Sequence, residues 1–255
     1  MPNQRFYQRH LPHEIPEGSP IFLTWNLKGS LPFRVIQQLQ EEADRLTSES
    51  LNSQESSRDR KVRHAKAIFE LRDGHLDADV AEFTQLNGSD GTFSLGKCSF
   101  RDRPMWLADP AAARKVVQSI LWGVPNRYEL FAFCVMGNHV HTLLTPSIPL
   151  AKITQGIKGF TAFQINRLHR QAGRTVWQDE CYDHWPRDEE EFFKTIGYIE
   201  ANPVQAGLCQ EPNCWTWSSS FLRNTFDWLV GSPLAAEAVP EIMAMYDRLL
   251  DTQVR

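Results

Sequence analysis

Tyr128-Glu-Leu-Phe-Ala-Phe-Cys-Val-Met136, Gly137-Asn138, His139-Val-His-Thr-Leu-Leu-Thr145 is the stretch on which the reading of the fold turns. Two runs of mostly apolar residues flank a two-residue connection containing glycine, the pattern of a β-hairpin. Working outward, Ile21-Phe-Leu-Thr-Trp-Asn-Leu27 alternates and is rich in β-formers, so it reads as a further strand. Gly29-Ser30 ends it, with Ser30 placed to cap a helix from about Pro32 through Val35, Ile36 and Leu39 towards Leu46. Asp109-Pro110 opens a second helix, carrying Val116, Val117, Ile120 and Leu121 and stopping near Gly123 and Pro125. Beyond the hairpin, the pattern predicts a helix from Leu150 to about Ala172 and an edge strand within Trp177–His184. A last helix begins near Asp188 and is expected to end at Asn202-Pro203, because a residue before proline is driven out of the α region.

Helices set between strands without a repeating βαβ rhythm predict an α+β fold, with a central antiparallel sheet and helices packed on it. Residues 47–103 interrupt it. Thr47 to Arg60 is almost devoid of apolar side chains, Val62 to Phe83 shows scattered helical periodicity, and Asn87-Gly-Ser-Asp-Gly91 is turn sequence. The segment is expected to be a helical or irregular insertion in a domain spanning 20–222, with 1–19 an N-terminal extension and 223–255 a C-terminal helical tail.

At 255 residues, 42% hydrophobic and 23% charged, the chain has the composition of a globular protein that buries a real core. This excludes collagen, rod and disordered classes. No run approaches the roughly 18–20 apolar residues of a membrane span. The start lacks the apolar segment of a secretory signal, so no membrane partner is expected and a cytoplasmic location is. The five cysteines form no C-x-x-C pair, which fits a reduced compartment. The net charge of −4 looks awkward for a nucleic-acid partner, yet Ala151 to Gln178 holds no Asp or Glu while carrying Lys152, Lys158, Arg167, Arg170 and Arg174. This locally basic helix is either a solvated face or a polyanion site.

Three constellations carry chemistry. In His139-Val-His141, strand periodicity projects both imidazoles to one side, where they serve either as metal ligands or as hydrogen-bonded core residues. In Tyr198-Ile-Glu-Ala-Asn202-Pro203, Tyr198 and Asn202 stack one helical turn apart: a nucleophilic phenol beside a hard oxygen donor, or an amphipathic tyrosine beside a helix-end asparagine. Trp177-Gln178 with Tyr182-Asp-His-Trp-Pro-Arg-Asp188 interleaves aromatics with His184 and Arg187, suited to stacking bases and gripping phosphates or to anchoring a turn.

Taken in order, Val135-Met-Gly-Asn-His-Val-His141, Trp177-Gln178, Tyr182-Asp-His-Trp with Arg187-Asp-Glu189, Tyr198-Ile-x-x-Asn-Pro-Val-x-Ala-Gly-Leu208 and Trp215-x-Trp-Ser-Ser219 resemble the REP-associated tyrosine transposases, single-tyrosine HUH enzymes of the IS200-like group. Trp106-Leu-Ala-Asp-Pro110 is similar to a longer subgroup of that family. The resemblance covers Pro20–Leu46 and about Pro104–Phe221. It implies a ferredoxin-like HUH domain that nicks single-stranded, hairpin-forming DNA through a 5′-phosphotyrosine. It further implies His139 and His141 as ligands of Mg²⁺ or Mn²⁺, Tyr198 as nucleophile and Asn202 as a third ligand. Lys152, Lys158, Arg167, Arg170, Arg174, His184 and Arg187 are the expected DNA contacts, in a monomer or homodimer. Gly137 stands where the family usually has proline, which is expected to loosen the hairpin turn without removing a ligand. Two other readings are a non-catalytic hairpin-binding repressor or domesticated module, and a zinc hydrolase built on His139, His141 and His184.

Overall fold

β1 (Ile21–Asn26) begins the ordered architecture of the computed structural model, which describes residues 18–49, 56–87, 99–100, 103–179 and 181–253. Helices α1 (Phe33–Glu49) and α2 (Ser57–Asn87) follow, then a minimal hairpin of β2 (Ser99–Phe100) and β3 (Arg103–Pro104), and α3 (Pro110–Trp122). The predicted hairpin forms β4 (Tyr128–Val135) and β5 (His139–Pro146), leading to α4 (Leu150–Leu168) and β6 (Tyr182–His184). Helices α5 (Glu189–Gln205), α6 (Ser219–Thr225) and α7 (Val239–Gln253) complete the chain. The sheet order is β4-β5-β1-β6 with antiparallel neighbours throughout. With α3 and α4 as the crossovers, this is the β-α-β-β-α-β ferredoxin-like topology that the family resemblance implies.

Strand periodicity sorts the side chains into two layers. Leu23, Trp25, Val140 and Leu144 face α3 and α4, whose Val116, Val117, Ile120, Ile153, Ile157 and Ile165 are buried against them. Phe22, Ala132, Cys134 and Leu143 face the other way, towards Ile196 and Ile199 of α5 and Phe69, Val80 and Phe83 of α2. His139 and His141 have the parity of Leu143, and so lie on this second face, under α2 and α5. The C-terminal segment joins the first layer: Ile242 and Tyr246 are fully buried, and Tyr246 stacks on Trp217.

Local signals act largely as read. Asp109 Oδ1 caps α3 through Ala111 N–H at 2.9 Å, and Asp188 Oδ1 caps α5 through Glu191 N–H at 2.8 Å. Some boundaries differ. α5 does not end at Asn202-Pro203 but runs to Gln205, because Pro203 forfeits only its own N–H bond, while Ala206 N–H still reaches the Asn202 carbonyl at 3.0 Å. α4 ends at Leu168, short of Ala172, where Arg170 turns left-handed (φ 54°). The edge strand is confined to Tyr182–His184, with Trp177 making an isolated bridge to Leu27. Ser30 does not cap α1; its hydroxyl points to the Asn138 carbonyl, 3.5 Å away, across the hairpin turn. That turn is braced on the other sides as well, by Leu27 N–H to the Asn138 carbonyl (2.8 Å) and Leu107 N–H to the Gly137 carbonyl (3.1 Å). Most of the 1–19 extension, residues 88–91 of the turn sequence and parts of 47–103 lie outside the described residues.

Candidate metal and nucleophile centre

β5 delivers His139 and His141 side by side, ring centroids 4.7 Å apart, both wholly buried. Each ring is oriented through Nδ1. Asn138 Oδ1 lies 2.7 Å from His139 Nδ1, and the Asn138 amide is fixed by its Nδ2 donating to the Leu76 carbonyl at 3.2 Å. The Nδ1 of His139 therefore carries the proton and donates, leaving Nε2 with a free lone pair. Thr24, directly opposite His141 in the β1–β5 register, places Oγ1 2.7 Å from His141 Nδ1. Such outer partners set the tautomer and aim of a ligating imidazole. Both Nε2 atoms are buried without a hydrogen-bond partner.

What they face comes from the insertion. α2 lays Phe69, Arg72, Asp73, Leu76, Val80 and Phe83 as a buried stripe over this side of the sheet. Asp73 Oδ2 stands 3.7 Å from His141 Nε2, and Asp77 Oδ1 stands 3.4 Å from His139 Nε2. Ligand atoms of Asp73, His139 and His141 lie within 4.8 Å of one another, a cluster that fits a divalent metal ion. Burial dominates the proton affinities. It pushes Asp73 well above the ordinary carboxylate range, reinforced by the Asp77 charge, and raises Asp77 to about 7. It lowers His139 to about 3 and His141 well below the usual imidazole value, so both rings are neutral and able to ligate.

α5 brings the other two predicted residues to the same place. The Tyr198 hydroxyl donates to Asp73 Oδ2, with its ring among Phe22, Phe69 and His141. Asn202 is fully buried; its Nδ2 reaches Asp77 Oδ2 at 3.4 Å, and its Oδ1 has no partner. Tyr198, Asn202, His139 and His141 are thus assembled as expected, and the two carboxylates are what sequence reasoning missed. Their signal was present: acids at i and i+4 within the apolar spacing of Phe69, Leu76, Val80 and Phe83 are costly on a buried helix face unless something there requires them.

The basic residues divide. α4 packs on the opposite face of the sheet from the histidines, so its cations are not at the cluster. Lys152, Arg167 and Arg170 are exposed. Lys158 instead donates to the carbonyls of Gln178 (2.7 Å) and Asp179 (3.1 Å), and Arg174 lies over the Trp106 ring, 3.5 Å from its centroid. His184 Nε2 is 2.8 Å from Glu191 Oε1, which also accepts through Oε2 from the Arg187 N–H; among the described residues His184 is not in the metal cluster. Arg187 itself is exposed just past β6. Trp177 is structural, buried and donating to Thr161 Oγ1 at 2.9 Å. No helix of the described residues is long and apolar enough to cross a membrane.

Residues 111–202 match the profile of the family described as Transposase IS200 like, a span that contains both histidines, Tyr198 and Asn202. This is the family group that the ordered motifs resemble, and it supports transposase function. Among solved structures, the chain is similar to a REP-associated tyrosine transposase bound to a REP hairpin: 15% identity, 90% of this chain and 92% of that chain covered, TM-score 0.39. No curated protein matches the chain significantly.

Proposed function

We propose that this protein is a metal-dependent endonuclease and strand transferase acting on single-stranded, hairpin-forming DNA, with Tyr198 as nucleophile. The observation that carries the reading is the placement of the Tyr198 hydroxyl on Asp73, beside two buried imidazoles whose unpartnered Nε2 atoms face carboxylates. His139, His141 and Asp73 would hold a divalent cation, which would supply Lewis-acid polarisation of a phosphate oxygen, a role that Mg²⁺ or Mn²⁺ suits. The chain's own groups do the rest. Asp73 aligns the phenol and accepts its proton, and the Tyr198 oxygen attacks phosphorus in line. The bond to the 3′ oxygen breaks, leaving a 5′-phosphotyrosine and a free 3′-hydroxyl. Because the phosphodiester link is conserved in the adduct, a second 3′-hydroxyl can reverse the step on another strand without ATP.

Recognition is supported by the outer face of α4, where Lys152, Arg167 and Arg170 flank the exposed rings of Phe160 and Phe163, with no acid in the helix. Cations for phosphates and rings for bases are what a single strand requires. A strand held there and cut at Tyr198 passes round the β6 edge of the sheet, where Arg187 is exposed.

The test is a denaturing gel on end-labelled hairpin single strands with Mg²⁺ or Mn²⁺, comparing wild type with Tyr198→Phe. A metal-dependent nick with protein-linked label, absent in Tyr198→Phe, is expected. A nick that survives in the variant would mean water is the nucleophile; hairpin binding with no nick in either metal would leave a non-catalytic binding module.

A further inference from the structure

Asp73 and Asp77 share a pattern. Each uses Oδ2 for a neighbour on α5, the Tyr198 phenol and the Asn202 amide respectively, and each leaves Oδ1 buried without a partner. Opposite them stand the two imidazole nitrogens, also buried and unpartnered. The unpartnered Oδ1 of Asp77 stands 3.4 Å from His139 Nε2, and Asp73 meets His141 Nε2 at 3.7 Å through Oδ2, the oxygen that also accepts from Tyr198. Donors about 2.1 Å from a common divalent ion sit about 3–4 Å from one another, so these two gaps are those of neighbouring ligands; Asp77 stands outside the 4.8 Å group of Asp73, His139 and His141 and adjoins it through His139. Among the described residues of α2, the buried guanidinium of Arg72 hydrogen-bonds Asn26 Oδ1 and neither carboxylate.

We propose that the inserted helix α2 is a working part of the metal centre: Asp73 and Asp77, one turn apart, ligate the same divalent cation as His139 and His141, and the cation fastens α2 over the nucleophile. This rests on the proposed function in that Tyr198 is the nucleophile covered. Two imidazoles with two carboxylates form a mixed nitrogen–oxygen set that favours Mn²⁺ over Mg²⁺, which prefers oxygen and keeps its waters. Bound this way, the insertion sets how tightly the ion is held and how the phenol is presented.

The experiment uses the full chain and Mn²⁺ alone, without DNA. Titration calorimetry measures the affinity for wild type, Asp73→Asn, Asp77→Asn and the double variant, and hydrogen exchange with and without Mn²⁺ follows peptides from α2 and β5. One Mn²⁺ per wild-type chain is expected, with slowed exchange in both peptides and at least about a tenfold loss of affinity in each single variant. The neutral amides relieve a buried charge, so the variants keep their fold, and their circular dichroism checks this. Mn²⁺ that slows exchange in β5 alone, with the double variant binding as tightly as wild type, overturns the proposal and leaves the nicking reading intact. Protection of α2 with no phosphotyrosine formed in any metal supports the proposal and removes the nicking reading instead.

Discussion

Replacing Thr24 with valine tests the arrangement that aims the imidazoles. Thr24 lies on the central strand β1, fully buried, with its hydroxyl 2.7 Å from His141 Nδ1 and its backbone in register with His141. Valine keeps the volume and β-branching but leaves His141 Nδ1 buried and unpaired, at a cost of about 1–3 kcal/mol. For a chain of this size that amounts to a melting temperature lower by roughly 2–12 °C without metal. The larger effect falls on the ion. Without the hydroxyl the ring loses the hydrogen bond at Nδ1 that helps aim Nε2 at the cluster, and losses of an outer partner run to about 10–100-fold in metal affinity. Calorimetric titration of Mn²⁺ into Thr24→Val reads this directly, and nicking lost at low Mn²⁺ is expected to recover at high Mn²⁺. A folded variant that binds Mn²⁺ within about twofold of wild type would refute the assignment of Nε2 as ligand and Nδ1 as the nitrogen that anchors the ring.

Three further outcomes follow from the same structure. In chelator-treated protein, Asp77 holds its proton up to about 7, whereas the unfolded chain releases it near 3.8, so folding is increasingly opposed as pH rises between those values and the burden is complete above them. At about 1.4 kcal/mol per pH unit it comes to a little over ~4 kcal/mol, so metal-free Asp77→Asn is expected to melt above wild type at pH 8 and close to it at pH 4; a variant that melts lower at pH 8 contradicts the burial argument. Converting Lys152, Arg167 and Arg170 together to alanine is expected to lower the slope of log affinity against log salt for single-stranded DNA by about 2, since each phosphate contact on a single strand contributes about 0.7. Lys158→Ala, by contrast, is expected to leave that slope nearly unchanged while lowering the melting temperature, because its ammonium is already committed to two backbone carbonyls.

Local chemistry wrote the scaffold legibly. The alternation of Ile21–Leu27 and of the hairpin strands, the Asp109-Pro110 and Asp188 caps, and the His-x-His and Tyr-x-x-x-Asn spacings each act within a few residues, so strands, helix starts and same-face pairs could be read from order alone. Where reading failed, a distant contact had overruled a local preference. Asn202-Pro203 stays helical because the packed turn beyond it retains its bonds, and Ser30 turns to Asn138. The decisive case is α2. With Val62 to Phe83 showing only scattered helical periodicity, the segment gave no sign of where it would dock, and only the tertiary fold lays Asp73 and Asp77 against histidines more than sixty positions away. The sequence by itself determined which side chains share a face, since backbone periodicity sets that; which faces meet depends on packing between distant segments, and that the tertiary structure decided.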